Sequence, residues 1–390
     1  MASEYPPLAT GSGRHAYELT RALAKDNFVH VITPRVVHAL DAEEQGNLSI
    51  SRVRHIRKAG VLPLSFSLTS NLLARKIMKK QDIDIICGHQ WDSVIFPFPR
   101  KIPFVLRANI TAVGTWEFMK SVNISAFQRL MYRSAVYLDR QVCRRADKIV
   151  AVSSFLANEL RKYDIENEKI ETVLNGVDIE GFNPKESGEE VRKKHGLEDK
   201  KVLLYVGRIS PQKGIEYLLE ALPAVVQEHQ DVKLLVVGGP TYKMKSSTYN
   251  AYSANLRRII QKYNLDDAVR FAGYVNFEKM PQYYAAADIC VVPSAYEPLG
   301  NTVLEALASG KPLIASKTGG IQEVVEHMKN GVLVPPKNPS AIADAILKLL
   351  EDEDLRKKIS ANARKKAETM SWDDVAKKML AIMREIFEKF

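Results

Sequence analysis

The chain has too few of the residues that would make it a disulfide scaffold, a zinc module or a membrane span. Among 390 residues there are three cysteines, Cys87, Cys143 and Cys290, widely separated and without a CxxC pair. That excludes a disulfide framework and a cysteine zinc site, and a reducing, cytoplasmic location is the expectation. No apolar run approaches the roughly 20 residues of a membrane span. The first thirty residues lack the basic and apolar segments of a secretory signal. What is present is ordinary globular material, 46% hydrophobic and 26% charged, enough for two domains at about 150 residues each.

The net charge of +10 is concentrated in one place. Residues 1–50 carry 4 Lys/Arg and 6 Asp/Glu, residues 51–162 carry 20 and 7, and residues 163–390 carry 32 and 33. An anionic partner is therefore expected at the middle stretch and not over the whole surface.

Short apolar runs alternate with helical patterns along the whole chain. Phe28–Thr33, Ile83–Ile86, Pro103–Leu106 and Lys148–Val152 read as strands of a first half, and Val202–Val206, Lys233–Val237, Ile289–Val292 and Pro312–Ala315 as strands of a second. Helices are expected at Ala16–Lys25, Ile215–Gln227, Tyr252–Tyr263, Val303–Ser309 and Ala341–Leu350. This alternation predicts α/β layers around parallel sheets, in two doubly wound domains. The expected division is 1–180, a Gly/Pro-bearing and charged linker at 181–200, and 201–371. A terminal helix, 372–390, is expected to return to the first domain.

Two stretches of the second half can carry chemistry. Gly207-Arg208-Ile-Ser-Pro-Gln-Lys213-Gly214 follows a strand and precedes a helix. Its two cations suit a diphosphate; a solvated loop is the plainer alternative. In Glu297-Pro-Leu299-Gly300-Asn301-Thr302-Val-Leu-Glu305 a strand ends and a helix begins, so the first amides form a ready anion site. Glu305 has two readings here, facing a ligand or closing a capping box with Thr302.

Glu297 and Glu305, with seven residues between them, resemble the signature of retaining glycosyltransferase family four, whose members have the GT-B fold. Gly207-Arg208, Lys213-Gly214, Phe271-Ala-Gly-Tyr274-Val275, Leu174-Asn-Gly-Val-Asp178 and Thr318-Gly-Gly320 strengthen the resemblance. It implies two Rossmann-like domains facing a cleft and a nucleotide diphosphate sugar as donor substrate, with no separate cofactor and no metal. Glu297, Arg208, Lys213 and Asn109 are implied as catalytic. Gly11, Gly207, Arg208, Lys213, Tyr274, Val275, Glu297, Leu299, Gly300, Asn301, Thr302 and Glu305 are implied as donor-binding. Among these, Arg208 and Lys213 would hold the diphosphate, Glu305 the ribose, and Tyr274 and Val275 would border the base.

The first half departs from that pattern. The glycine-rich loop Glu4–His15 reads Thr10-Gly11 where the family has Gly-Gly. Only Met1-Ala2-Ser3 stands where a first strand belongs, so that strand is expected to be short or missing through truncation or loss. Arg107-Ala-Asn109 stands where many members have a histidine beside the transferred sugar, and an amide carries no titrating proton. His15 and His89 are candidates for the acceptor side, with a packed structural role the plainer alternative.

The acceptor is expected to be a hydroxyl compound, lipid-linked or anionic, and not a nucleic acid. Peripheral contact with the inner face of a membrane through 51–162 would use the basic surplus. Against this, Phe127, Leu130, Met131, Tyr137 and Leu138 are expected mainly to fill the core of their domain. The rival functions are a GT-B epimerase or phosphorylase and a catalytically weakened binding protein at an anionic surface.

Overall fold

The computed structural model describes every residue except 8–9, 37–38, 57–61, 98–100, 123 and 240–246. It divides into two compact units, 1–176 with 372–390, and 177–371.

In the second unit a parallel sheet holds β8 (Lys201–Val206), β9 (Val232–Val237), β10 (Val269–Gly273), β11 (Ile289–Val292), β12 (Leu313–Ser316) and β13 (Val332–Val334). Their order is β10-β9-β8-β11-β12-β13, the Rossmann order in which the chain reverses direction across the sheet between its first and fourth strands. Strands such as Ile289–Val292 are buried on both faces, as unbroken Val/Ile/Leu runs require. Helices Ile215–Glu228 and Pro339–Glu351 pack their apolar stripes on the sheet through Leu218, Leu222, Ile342 and Ile346.

The first unit contains β1 (Val29–Pro34), β2 (Ala42–Gln45), β3 (Leu48–Val53), β4 (Ile86–His89), β5 (Phe104–Ala108), β6 (Lys148–Ala151) and β7 (Ile170–Thr172). They form two sheets, β1-β3-β2 and the parallel β4-β5-β6-β7. The pair β2/β3 is antiparallel. Residues 1–3 lie between the sheets: the Ala2 amide donates to Ile32 O at 3.0 Å, and the His89 amide donates to Met1 O at 2.7 Å. A single parallel bridge, Ala2 to His89, thus occupies the place of a first strand.

Helix Trp372–Lys389 belongs to this unit. Its Trp372, Val375, Met379 and Met383 pack with Leu19 and Leu23 of helix Gly11–Leu23 and with Val105 and Val150.

Several expectations are corrected. The strand expected at Ile83–Ile86 runs over Ile86–His89, because its pairing with β5 is set by the register Ile86 to Phe104. Strands β2, β3, β7, β10 and β13 add to those read from the pattern. The largest correction concerns helix Ala126–Arg145: Phe127, Leu130, Met131 and Tyr137 are exposed and Leu138 half-buried. Only Asp139, Val142 and Cys143 of this helix are buried. Its inward face is built around Asp139, which accepts from the Ala112 amide and the Tyr163 hydroxyl, each at 2.7 Å.

Met379 is fully buried. Met379→Ala is expected to destabilise the first unit by about 3 kcal/mol through loss of burial and a residual cavity. The exposed neighbour Lys378→Ala should change stability by less than about 0.5 kcal/mol. Urea unfolding followed by Trp372 fluorescence checks both.

Candidate active site

In the second unit the loops after β8 and β11 leave neighbouring central strands at their carboxyl ends, where the strand order reverses. A crevice for ligand is inherent in that geometry, because the two connections depart to opposite sides. The first loop carries Gly207, Arg208 and Lys213. Here Gly207 passes so close to Gly238 that a Cβ on Gly238 would lie 1.9 Å from the Gly207 carbonyl oxygen. Lys213 ends a short 3-10 turn, and Gly214 follows at φ +63°, capping helix Ile215–Glu228.

The two loops are tied through the backbone. The amides of Ala295 and Tyr296 both donate to the Gln212 carbonyl, at 2.9 and 3.2 Å. Across this tie Lys213 Nζ lies 2.5 Å from Glu297 Oε2, which also accepts from the buried Ser294 hydroxyl at 3.1 Å. The side chains are 18% and 7% exposed, so the pair is shielded more than a surface ion pair and removing either partner strands a charge. Arg208 is exposed, its guanidinium 3.4 Å from Gln212 Oε1.

Beyond Glu297 the chain passes Leu299 and turns into helix Asn301–Ala308 at Gly300, whose φ is +93°. The amides of Asn301 and Thr302 open that helix, where the dipole favours an anion. Gly300 is the N-cap and no side chain caps the helix, so the Thr302–Glu305 capping box is not formed: both residues already lie inside the helix. Instead the Glu305 carboxylate accepts from the Tyr284 hydroxyl at 2.7 Å. Burial, with Glu305 beside it, pushes the Tyr284 phenol well above its ordinary range, so it stays a donor. Tyr274 and Val275 follow β10, with Tyr274 61% exposed and Phe271 also exposed.

The first unit gathers a second set. Thr10 caps helix Gly11–Leu23 by accepting from the Gly13 amide at 3.0 Å, and donates to Glu4 at 2.7 Å. Ser12 also donates to Glu4, which secures the turn at Gly11. Two residues of this loop, Leu8 and Ala9, lie outside the described residues. His15 Nδ1 is 2.6 Å from His89 Nε2, and Asn109 Nδ2 is 3.0 Å from the same nitrogen. Behind them the fully buried Arg107 reaches His15 Nε2 at 3.3 Å and Asn175 Oδ1 at 2.9 Å. Burial above all, then Arg107, lowers His89 to about 3. His15 is also held well below the imidazole range, by burial first and then by His89 and Arg107.

Each unit thus brings its own candidates together: Lys213 and Glu297 touch in the second, His15, His89 and Asn109 in the first. Tyr284, Ser294, Gln212 and Arg107 were not found from the sequence. A tyrosine in a helix and a carbonyl in a loop carry no motif, whereas Arg107 does leave a signal as a lone charge inside an apolar strand run.

Residues 9–180 match the family described as Glycosyltransferase Family 4, and residues 187–366 the family described as Glycosyl transferases group 1. Across 99% of its length the chain is 30% identical to an uncharacterized glycosyltransferase of Methanocaldococcus jannaschii, of which it covers 97%. It is also 30% identical to a D-inositol 3-phosphate glycosyltransferase of Corynebacterium urealyticum, over 82% of this chain and 76% of that protein. Sucrose-phosphate synthase from Thermosynechococcus elongatus has the same fold, with a TM-score of 0.81 at 24% identity, covering 100% of this chain and 96% of that one. Anabaena HepE, solved in complex with UDP and glucose, matches with a TM-score of 0.76 at 21% identity over 98% of each chain.

Two Rossmann-like α/β units of this kind define the GT-B class of transferases. Within that class the chain belongs to the family-four, or group 1, glycosyltransferases.

Gly214→Ala tests the tie between the loops. The new Cβ would lie 2.2 Å from the Pro293 carbonyl oxygen at a positive φ, and strain at such a position costs about 1–3 kcal/mol. A fall in thermal midpoint is expected, while Gly196→Ala, also at positive φ but with nothing near its Cβ, should cost less. Scanning calorimetry on both variants checks the difference.

Proposed function

We propose that the protein transfers a hexose-type sugar from a nucleotide diphosphate sugar to an acceptor hydroxyl with retention of configuration. The observation that carries this reading is the meeting of Lys213 and Glu297 at the switch point between β8 and β11, with Arg208 on the first of the two loops and the start of helix Asn301–Ala308 following the second. Arg208, Lys213 and the amides of Gly300, Asn301 and Thr302 take the diphosphate. Glu305, oriented by Tyr284, takes the ribose hydroxyls, Glu297 faces the sugar, and Tyr274 with Val275 borders the base. Gly207 and Leu299 shape the walls, Gly11 approaches the diphosphate, Asn109 stands beside the transferred sugar, and His15 and His89 serve the acceptor side.

Lys213 is already paired with Glu297, so a diphosphate entering the site would share its ammonium with that carboxylate. This fixes the Lys213 head and the Glu297 carboxylate relative to each other before binding, which lowers the ordering cost at the reacting centre. In the proposed step the acceptor oxygen bonds to the anomeric carbon as the carbon–phosphate-oxygen bond breaks. The acceptor proton passes to the leaving diphosphate on the same face, and the cations and helix amides hold the charge that develops there. No separate metal or cofactor enters this reading.

Glu305→Ala is expected to raise donor KM about tenfold or more, the loss of a charged hydrogen bond. Glu297→Ala should instead depress kcat. Unchanged transfer in both would overturn the assignment. The donor is found by thermal shift against UDP-, GDP- and ADP-sugars, where a ligand at 100 times its Kd stabilises by about 2.7 kcal/mol.

A second element of the reading concerns the acceptor side. Helix Ala126–Arg145 presents Phe127, Leu130 and Tyr137, 70, 62 and 64% exposed, with Arg129 and Arg133 exposed on the same helix. Helix Leu62–Ile77 presents Leu64, Leu68 and Leu72, all exposed and one turn apart. Apolar side chains set among unbalanced arginines suit an anionic bilayer, and a self-paired dimer through the Arg-rich helix would oppose like charges. Among the described residues no helix is long and apolar enough to cross a membrane, so the contact proposed is peripheral. Phe127→Ser with Leu130→Ser is expected to reduce co-sedimentation with vesicles rich in phosphatidylglycerol about tenfold without altering the donor thermal shift. Equal sedimentation of wild type and variant would remove this element.

A further inference from the structure

Arg107 stands on β5 with its guanidinium completely buried and without a salt-bridge partner among the described residues. Its side chain bonds are to the Ala151 carbonyl at 3.4 Å, Asn175 Oδ1 at 2.9 Å and His15 Nε2 at 3.3 Å. A buried cation with only neutral acceptors is costly, so its arrangement calls for a reason beyond packing.

The direction of each hydrogen bond follows from what each group can do. Arginine only donates, so His15 Nε2 must offer a lone pair to Arg107. A neutral His15 then carries its proton on Nδ1, which donates to His89 Nε2 at 2.6 Å. That nitrogen is an acceptor in turn, and the proton of His89 sits on Nδ1. Asn109, 3.0 Å from the same nitrogen, turns its NH2 group toward it as a second donor sharing that one lone pair, since an amide oxygen there would face the lone pair. The Asn109 oxygen is thereby directed away; it is buried and has no hydrogen-bond partner among the described residues.

We infer that Arg107 is a positioning residue that acts through His15 and His89 to fix their tautomers and to hold the Asn109 amide by its NH2 group. The inference rests on the proposed transfer reaction only for what Asn109 would stand beside; the chain of donors stands on geometry within one unit. It carries a chemical consequence: the lone pair of each imidazole is already committed within the chain, so neither can take the acceptor's proton.

The surrounding groups pull both ways, and burial decides. Burial above all, then Arg107 on β5 and the Met1 amine, disfavour a proton on His89, while Glu4 and a backbone hydrogen bond of His89 favour one. His15 lies edge-on to Trp372, with ring centroids 5.0 Å apart, and Asn175 is the group that favours its charged form. Cys87, also on β4, is held as a thiol by burial. Burial brings Arg107 itself down to about 9, so it remains a cation at neutral pH.

The test is the nitrogen spectrum of the histidine rings in the full chain labelled with imidazole 15N, His15 and His89 being assigned through His15→Gln and His89→Gln. In the wild type both rings should carry the proton on Nδ1 and show no titration between pH 5.5 and 8.5. In Arg107→Met the His15 proton should move to Nε2 or the ring should begin to titrate, with His89 and the Asn109 side-chain amide shifting in step. A wild-type ring protonated on Nε2, a wild-type ring titrating in that range, or an Arg107→Met spectrum unchanged at His15 would each overturn the inference. Should Arg107→Met fail to fold, the wild-type spectrum alone decides. Because this readout needs no donor or acceptor, its failure is separate from failure of the transfer reading.

Discussion

A parallel sheet sends every strand out at the same end, and when its strand order reverses, two neighbouring connections must part. The second unit depends on that constraint. Strands β8 and β11 are neighbours and their loops depart to opposite sides, so Lys213 and Glu297, 84 residues apart in the chain, meet at 2.5 Å. The glycines follow from the same crowding. Gly238 passes the Gly207 carbonyl and Gly214 passes the Pro293 carbonyl at distances no Cβ allows. The first unit repeats the constraint with residues 1–3 in the central place, between Ile32 and His89. There too the reversal point is where the candidate side chains collect.

Much of the second unit was legible because its signals are local. The apolar runs at 202–206, 233–237 and 289–292 are strands, and the spacing of Glu297 and Glu305 places one carboxylate on a loop and the other in a helix. What the spacing could not decide was the partner of Glu305. A capping box and a Tyr284 hydroxyl bond satisfy the same carboxylate, and only the position of Gly300 as the N-cap separates them. The ion pair of Lys213 with Glu297 was invisible for a related reason: it joins two loops whose proximity is a property of strand order.

The first unit was less legible. In helix Ala126–Arg145 an apolar stripe has the same period whether it faces a core or the solvent, and periodicity alone assigned Phe127, Leu130 and Tyr137 to the wrong side. The buried side is marked instead by Asp139, which satisfies the Ala112 amide and the Tyr163 hydroxyl. Burial lifts its carboxyl to about 6 against the pull of these two donors, which favour the carboxylate. Arg107 was hidden in another way. A charge inside the run Phe104–Ala108 contradicts the pattern of a buried strand, and such a conflict between local rule and burial is where function or strain tends to reside.

The tie between the two loops of the second unit is made of main-chain atoms alone, the Gln212 carbonyl receiving the amides of Ala295 and Tyr296. Any residue except proline supplies the same donors at 295 and 296. Side chains at 212 and 295 can therefore be exchanged without loosening the frame that holds Lys213 against Glu297. In this fold the machinery for holding charge and the surfaces that choose among ligands are mechanically separable, and selectivity can drift while the frame stays in place.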